Sequence, residues 1–108
     1  MDIAQKLINT LLDTTIDDAV RDDAAIDLGF TSNNEMVEAA LLSIANDQTT
    51  EEMIRASCGE SLAQIWLTNP NFECNKINLL DGVAFEEAIA LIKVQNPLLY
   101  KKIKDSCL

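Results

Sequence analysis

The chain matches itself at a shift of 34 residues, and that match limits its architecture more than any other feature. Ile3 falls on Val37, Leu7 on Leu41, Ile8 on Leu42, Asp13 on Asp47 and Thr15 on Thr49. Further on, Asp17 falls on Glu51, Val20 on Ile54, Arg21 on Arg55, Ala24 on Cys58, Ala25 on Gly59 and Leu28 on Leu62. Any two amphipathic helices can share apolar positions. A shared turn Asp and Thr, a shared Arg and a shared pair of small residues are harder to obtain by accident. A repeat of this length predicts helical hairpins that bury their faces only by stacking on neighbours.

The predicted elements follow the repeat. A first helix over residues 2–12 is expected to bury Ile3, Leu7, Ile8, Leu11 and Leu12. A second, over 16–28, turns Ile16, Ala19, Val20, Ala24 and Leu28 inward, with Thr15 as its N-cap and Gly29 placed to close it in the left-handed conformation. Residues 31–34, Thr-Ser-Asn-Asn, form a turn with several candidate caps, Ser32 and Asn33 among them. The third helix, over 34–45, buries Met36, Val37, Ala40, Leu41 and Ile44. Thr49 and Glu52 have capping-box spacing ahead of the fourth. In that helix Ile54, Cys58, Leu62 and Ile65 make one stripe, widened by Met53 and Trp66. Gly59 in its middle implies a close helix neighbour, with the sister helix as the expected one, since a glycine there otherwise costs about 0.5–1 kcal/mol against alanine. Trp66 reads as core packing where the repeats meet.

After Asn69-Pro70-Asn71 the pattern loosens, with a short helical turn near residues 76–80. A helix over 83–95 offers Val83, Ala84, Ala88, Leu91 and Ile92 for burial. A last helix begins at Pro97 and turns Leu98, Leu99 and Ile103 inward. With 48% hydrophobic residues but only 5% aromatic, three glycines and two prolines, the expectation is a single all-α domain of six to eight helices. Its repeat region covers about 3–68 and a divergent cap about 69–108.

The motifs Val20-Arg21-x-x-Ala24-x-x-x-Leu28-Gly29 and Ile54-Arg55-x-x-Cys58-x-x-x-Leu62, each after an Asp-bearing turn, resemble short HEAT-like repeats. The tetratricopeptide Trp, Tyr and Pro signature and the ankyrin Thr-Pro-Leu-His are missing. Residues 58–66, CGESLAQIW, are similar to a group of very small bacterial HEAT-like proteins. Some of that group serve as immunity proteins paired with secreted or contact-delivered toxins. The resemblance implies a stacked-hairpin α-solenoid. It also implies that Arg21 and Arg55 pair with turn acids of an adjacent repeat.

Residues 1–60 hold 13 acidic and 3 basic side chains, while residues 61–108 hold 5 of each. The whole excess of −10 therefore sits in the repeat region, which argues against a general nucleic-acid binder and favours a basic protein partner. Asp17, Asp18, Asp22, Asp23 and Asp27 crowd the second helix, and Glu35 and Glu38 open the third. Like charges at i, i+4 (Asp18 with Asp22, Asp23 with Asp27) cost a helix a few tenths of a kcal/mol each. These seven residues are the candidate contacts; the bland alternative is a solvated acidic face.

No enzyme or cofactor is expected. The chain lacks histidine and a Gly-rich phosphate loop, and its carboxylates lie in polar sequence. Cys58, Cys74 and Cys107, spaced 16 and 33 apart, predict neither a zinc site nor a disulfide framework. Without a signal-like N-terminus or a membrane-length apolar run, the expected compartment is the cytoplasm. The expected function is that of an immunity protein, a monomer that forms a heterodimer with a basic nuclease toxin domain and covers its active site. The other reading is a HEAT-like scaffold or adaptor.

Overall fold

The computed structural model describes residues 2–31 and 34–108, so the cap candidates Ser32 and Asn33 lie outside the described residues. The described chain is all-α. Helices α1 (Ile3–Leu12) and α2 (Asp18–Leu28) form the first hairpin, and α3 (Glu35–Ala45) and α4 (Glu52–Leu67) the second. A 3-10 helix (Cys74–Leu79), α5 (Gly82–Gln95) and α6 (Pro97–Ser106) complete it.

The 34-residue repeat survives as two matching turns. The Asp13 carboxylate accepts from the Thr15 amide at 2.9 Å and from its hydroxyl at 2.6 Å. The Asp47 carboxylate does the same for Thr49, at 2.9 and 2.7 Å, and also takes the Thr50 hydroxyl at 3.0 Å. Each carboxylate replaces a backbone acceptor and fixes a hairpin of one shape. The threonines are thereby consumed, so Thr15 does not cap α2 and Thr49 makes no capping box. Asp17 and Glu51 take the N-cap positions two residues further on, and the Glu51 carboxylate accepts from the Met53 amide.

The Thr15 bonds hold Asp13 below the usual carboxylate range, and the Thr49 bonds do the same for Asp47. A depressed folded-state value adds stability that is full above the unfolded value near 3.8 and is lost as pH falls below it. The double variant Asp13→Asn/Asp47→Asn should therefore flatten the loss of stability between about pH 4 and pH 2 in urea titrations. An unchanged acid slope would show that the turns do not bind these carboxylates as drawn.

α1 and α3 lie side by side in one layer, and α2 and α4 in the other, with α2 and α3 on the diagonal. α5 packs on α4 as α4 packs on α2. Its buried Ala84, Ala88 and Ile92 stand 30 residues beyond Ile54, Cys58 and Leu62. α5 is therefore a third second-layer helix. In the first layer the 3-10 helix takes the corresponding place beside α3, where Lys76 Nζ reaches Glu38 Oε1 at 3.0 Å and Asn46 Nδ2 donates to the Leu79 carbonyl at 2.8 Å. Gly82, with φ +56°, turns the chain from this segment into α5. α6 closes the end by packing on α5 and the 3-10 helix.

The core runs through α4, where Ile54, Cys58, Leu62, Ile65 and Trp66 are all buried. Burying each large apolar side chain contributes about 1.5–3 kcal/mol. Trp66 stacks on Phe72 at 5.2 Å between ring centroids and donates its indole N–H to Glu38, which makes it a core residue. Gly59 lies against α5, where a methyl group would overlap the Ala84 carbonyl oxygen and stand 2.6 Å from its Cα. The close neighbour is thus α5 and not the sister helix α2. Gly29 meets α4 instead, with Ser61 2.8–3.0 Å from where its Cβ would be. Its φ is −64°, so the need there is for space and not for a left-handed turn.

Several expected core positions face outward. Ile3 is 72% exposed, Met36 61% and Leu98 82%, and Leu12, Ala19, Val20 and Met53 are also exposed. In α2 the reason is Arg21. Its guanidinium is buried and its Nε donates to the Leu11 carbonyl at 3.0 Å, satisfying a free acceptor at the end of α1. The buried stripe consequently runs through Arg21, Ala24, Ala25 and Leu28, which rotates Ala19 and Val20 outward. Arg55 likewise donates to a carbonyl, that of Thr50, at 3.0 Å. Both arginines serve backbone acceptors first; Arg21 is also close enough to Asp47, the second repeat's turn acid, to help lower its pKa.

Cys74 and Cys107, without pattern in the sequence, are joined in a disulfide with a Cα–Cα distance of 6.1 Å. The fold brings the ends of the 3-10 helix and α6 together, a proximity that no local spacing encodes. Asn78 Nδ2 donates to the Cys107 carbonyl at 2.7 Å and reinforces the junction.

Candidate functional site

At about 100° per residue, α2 cannot present all its aspartates in one direction. Asp18 and Asp22 lie on the flank toward α4, and Asp23 and Asp27 on the opposite flank. Asp17 stands at the N-cap with Asp18 beside it in the first turn, where the helix dipole favours negative charge. Asp18 also approaches Nη1 of the buried Arg21 at 3.9 Å, a long contact from an exposed carboxylate that contributes little. Asp22 is half-buried and accepts the Ser57 hydroxyl of α4 at 2.5 Å. The other four α2 aspartates are exposed.

Glu35 and Glu38 belong to a different place. They begin α3, on the diagonal from α2. Glu35 is exposed at the helix start. Glu38 is half-buried and holds both Trp66 Nε1 at 3.1 Å and Lys76 Nζ at 3.0 Å, a bridge from α3 to α4 and to the 3-10 helix. The structure therefore gathers five of the seven candidates on α2, splits them between two flanks and sets Glu35 and Glu38 apart.

The α4-facing flank carries more than charge. Asp18, Asp22, Ile26 and Phe30 form an i, i+4 row along α2 and its C-terminal turn. Met53, Ser57, Glu60 and Gln64 form the matching row of α4. Ser57 is tied to Asp22, and the buried Ser61 hydroxyl donates to the Ala25 carbonyl at 2.6 Å, so the rows are held in register. Between them lies a hollow lined by Ile26, Gly29, Phe30, Ser57, Glu60, Ser61 and Gln64. Phe30, 75% exposed, stands at its rim. Sequence reading missed Phe30 and Ile26; their signal is the apolar continuation of the Asp18–Asp22 row.

A second depression, of about 430 Å³, separates α1 from α3 and is lined by uncharged residues, among them Ile8, Leu12, Met36 and Ala40. Cys58 is no candidate nucleophile, because burial, with Asp22 nearby, pushes its thiol up to about 12. Among the described residues no helix is long and apolar enough to cross a membrane, and no group of three or more Cys, Asp or Glu could hold a metal ion. No family model, curated protein or solved structure matches this chain.

Proposed function

We propose that this protein is an immunity protein that binds a basic toxin domain, most simply a nuclease, and covers its active site without chemistry of its own. The observation that carries the reading is the aspartate-laden α2. Four of its five acids are exposed on a helix that they destabilise locally, and the chain's whole negative excess lies in its first 60 residues. Such a surface speeds encounter with a positive groove and makes association sensitive to salt. The partner forms a heterodimer with a single copy of the chain.

A gene for such a protein adjoins a toxin gene, and co-expression should rescue cells from that toxin's C-terminal domain. Failure of rescue, with no binding between the two purified proteins, ends this reading. Charge reversal tests the electrostatic part. Asp22 is a poor probe because it holds Ser57, so the exposed Asp18 and Asp23 are preferred. Asp18→Lys/Asp23→Lys should slow association about tenfold at low salt and shallow its salt dependence in stopped-flow mixing. An unchanged on-rate would sink electrostatic steering even if the complex still formed.

The proposed compartment is the cytoplasm, with the Cys74–Cys107 pair as its check. Disulfides persist in oxidising compartments and are rare in the cytosol. The bond then forms only on oxidation, so alkylation in intact cells should find both thiols reduced; an oxidised pair would move the protein to an oxidising compartment.

A further inference from the structure

We propose that the α2–α4 face, and not the whole acidic surface, is the docking site, and that it receives an aliphatic side chain flanked by lysine or arginine on the partner protein. This rests on the reading of a basic partner given above and narrows it to one face and one anchor.

Three observations converge there. The hollow between α2 and α4 has about 30 Å³ of free space, room for about two water-sized groups and so for the tip of an aliphatic side chain. Its walls are apolar at Ile26 and Phe30, both exposed and adjacent on one row of α2. Its surroundings are acidic, with Asp18 and Asp22 on the same row of α2 and Glu60 in the lining. The two rows are also held in register, since Ser57 and Ser61 tie α4 to α2 and Gly29 lets the helices close to contact distance. An apolar hollow with carboxylates beside it fits an apolar anchor flanked by cationic side chains. The α1–α3 depression is larger but its lining carries no charge, so nothing there favours a basic partner.

The test uses the full chain and two probes: a heptapeptide of six lysines around a central leucine, and the same peptide with serine at the centre. Binding is followed by chemical-shift titration of the labelled protein. The leucine peptide should bind about fivefold more tightly, as expected when roughly 40 Å² of apolar surface is buried. Its extra shifts should fall on Ile26, Phe30, Ser57 and Gln64. Phe30→Ala, a change at an exposed site, should erase the difference and leave the serine peptide's affinity unchanged. Equal affinities for the two peptides would overturn the anchored face while leaving the acidic-surface reading intact. Leucine-dependent shifts at Leu12 and Met36 would overturn it in favour of the α1–α3 depression. Failure of both peptides to bind would remove the acidic-surface reading as well.

Discussion

Gly59→Ala should destabilise the protein by about 3 kcal/mol, the upper end of the usual cost of overpacking. For a chain of this size that corresponds to a fall in Tm of about 12 °C. The sign is the informative part, because helix propensity alone predicts a gain of up to about 1 kcal/mol when a mid-helix glycine becomes alanine. The loss arises because the added methyl group meets backbone, the Ala84 oxygen and Cα of α5. Backbone cannot rotate away as a flexible side chain can, so α5 must lift from α4 along its length. For the same reason, trimming Ala84 to glycine should not rescue the variant. Thermal melts followed by far-UV circular dichroism and Trp66 fluorescence would decide the matter. An unchanged or raised midpoint would mean that α4 and α5 do not cross at Gly59.

Removing the disulfide should cost about 4 kcal/mol. Cys74 and Cys107 are 33 residues apart, and closing a loop of that length restricts the unfolded chain by about that amount. In the Cys74→Ser/Cys107→Ser variant, α6 is held by Ile103, by its contacts with α5 and by the Asn78 bond to residue 107. Urea unfolding with and without a thiol reductant measures the difference, and the double serine variant should reproduce the reduced curve. Matching oxidised and reduced midpoints would show that the bond adds nothing to the fold.

The repeat was legible in the sequence because its most distinctive residues are turn residues. Asp13 with Thr15 and Asp47 with Thr49 make the same local hydrogen bonds wherever they occur, so equal spacing in sequence becomes equal shape. The stripe of α4 was legible for a different reason: neighbours cover it so fully that its hydrophobic period and its burial coincide. Ile3, Val20, Met36 and Leu98 could not be placed by period alone, because which flank of a helix is covered depends on its neighbours in the stack. In α2 the decision falls to Arg21, whose charge would ordinarily mark the solvent side but whose guanidinium reaches inward to the end of α1.

The third repeat was harder to see. α5 was recognisable as a helix but not as a counterpart of α4, because its match to α4 runs at a shift of 30 and its first-layer companion has shrunk to a 3-10 helix. The cysteine pair depends on how that segment and α6 come together, which is a property of the whole chain. Of the acidic cluster, the sequence showed the number and the helix. It did not show that helical rotation divides the aspartates, that Asp22 and Glu38 are engaged by Ser57, Trp66 and Lys76, or that two apolar residues extend one aspartate row.

The two ends of the stack are finished differently. Helix α6 packs on α5 and, when Cys74 and Cys107 are joined, is stitched to the 3-10 helix, while among the described residues the α1–α2 hairpin is held to α3 and α4 by noncovalent contacts alone. In a stacked-repeat molecule, where each layer leans on the next, loosening starts where the links between layers are weakest. Opening should thus travel as a wave from α1 and α2 toward α4, with amide exchange fastest at the amino end. The charged helix α2 belongs to that hairpin, so a partner bound to its acids would clamp it from outside.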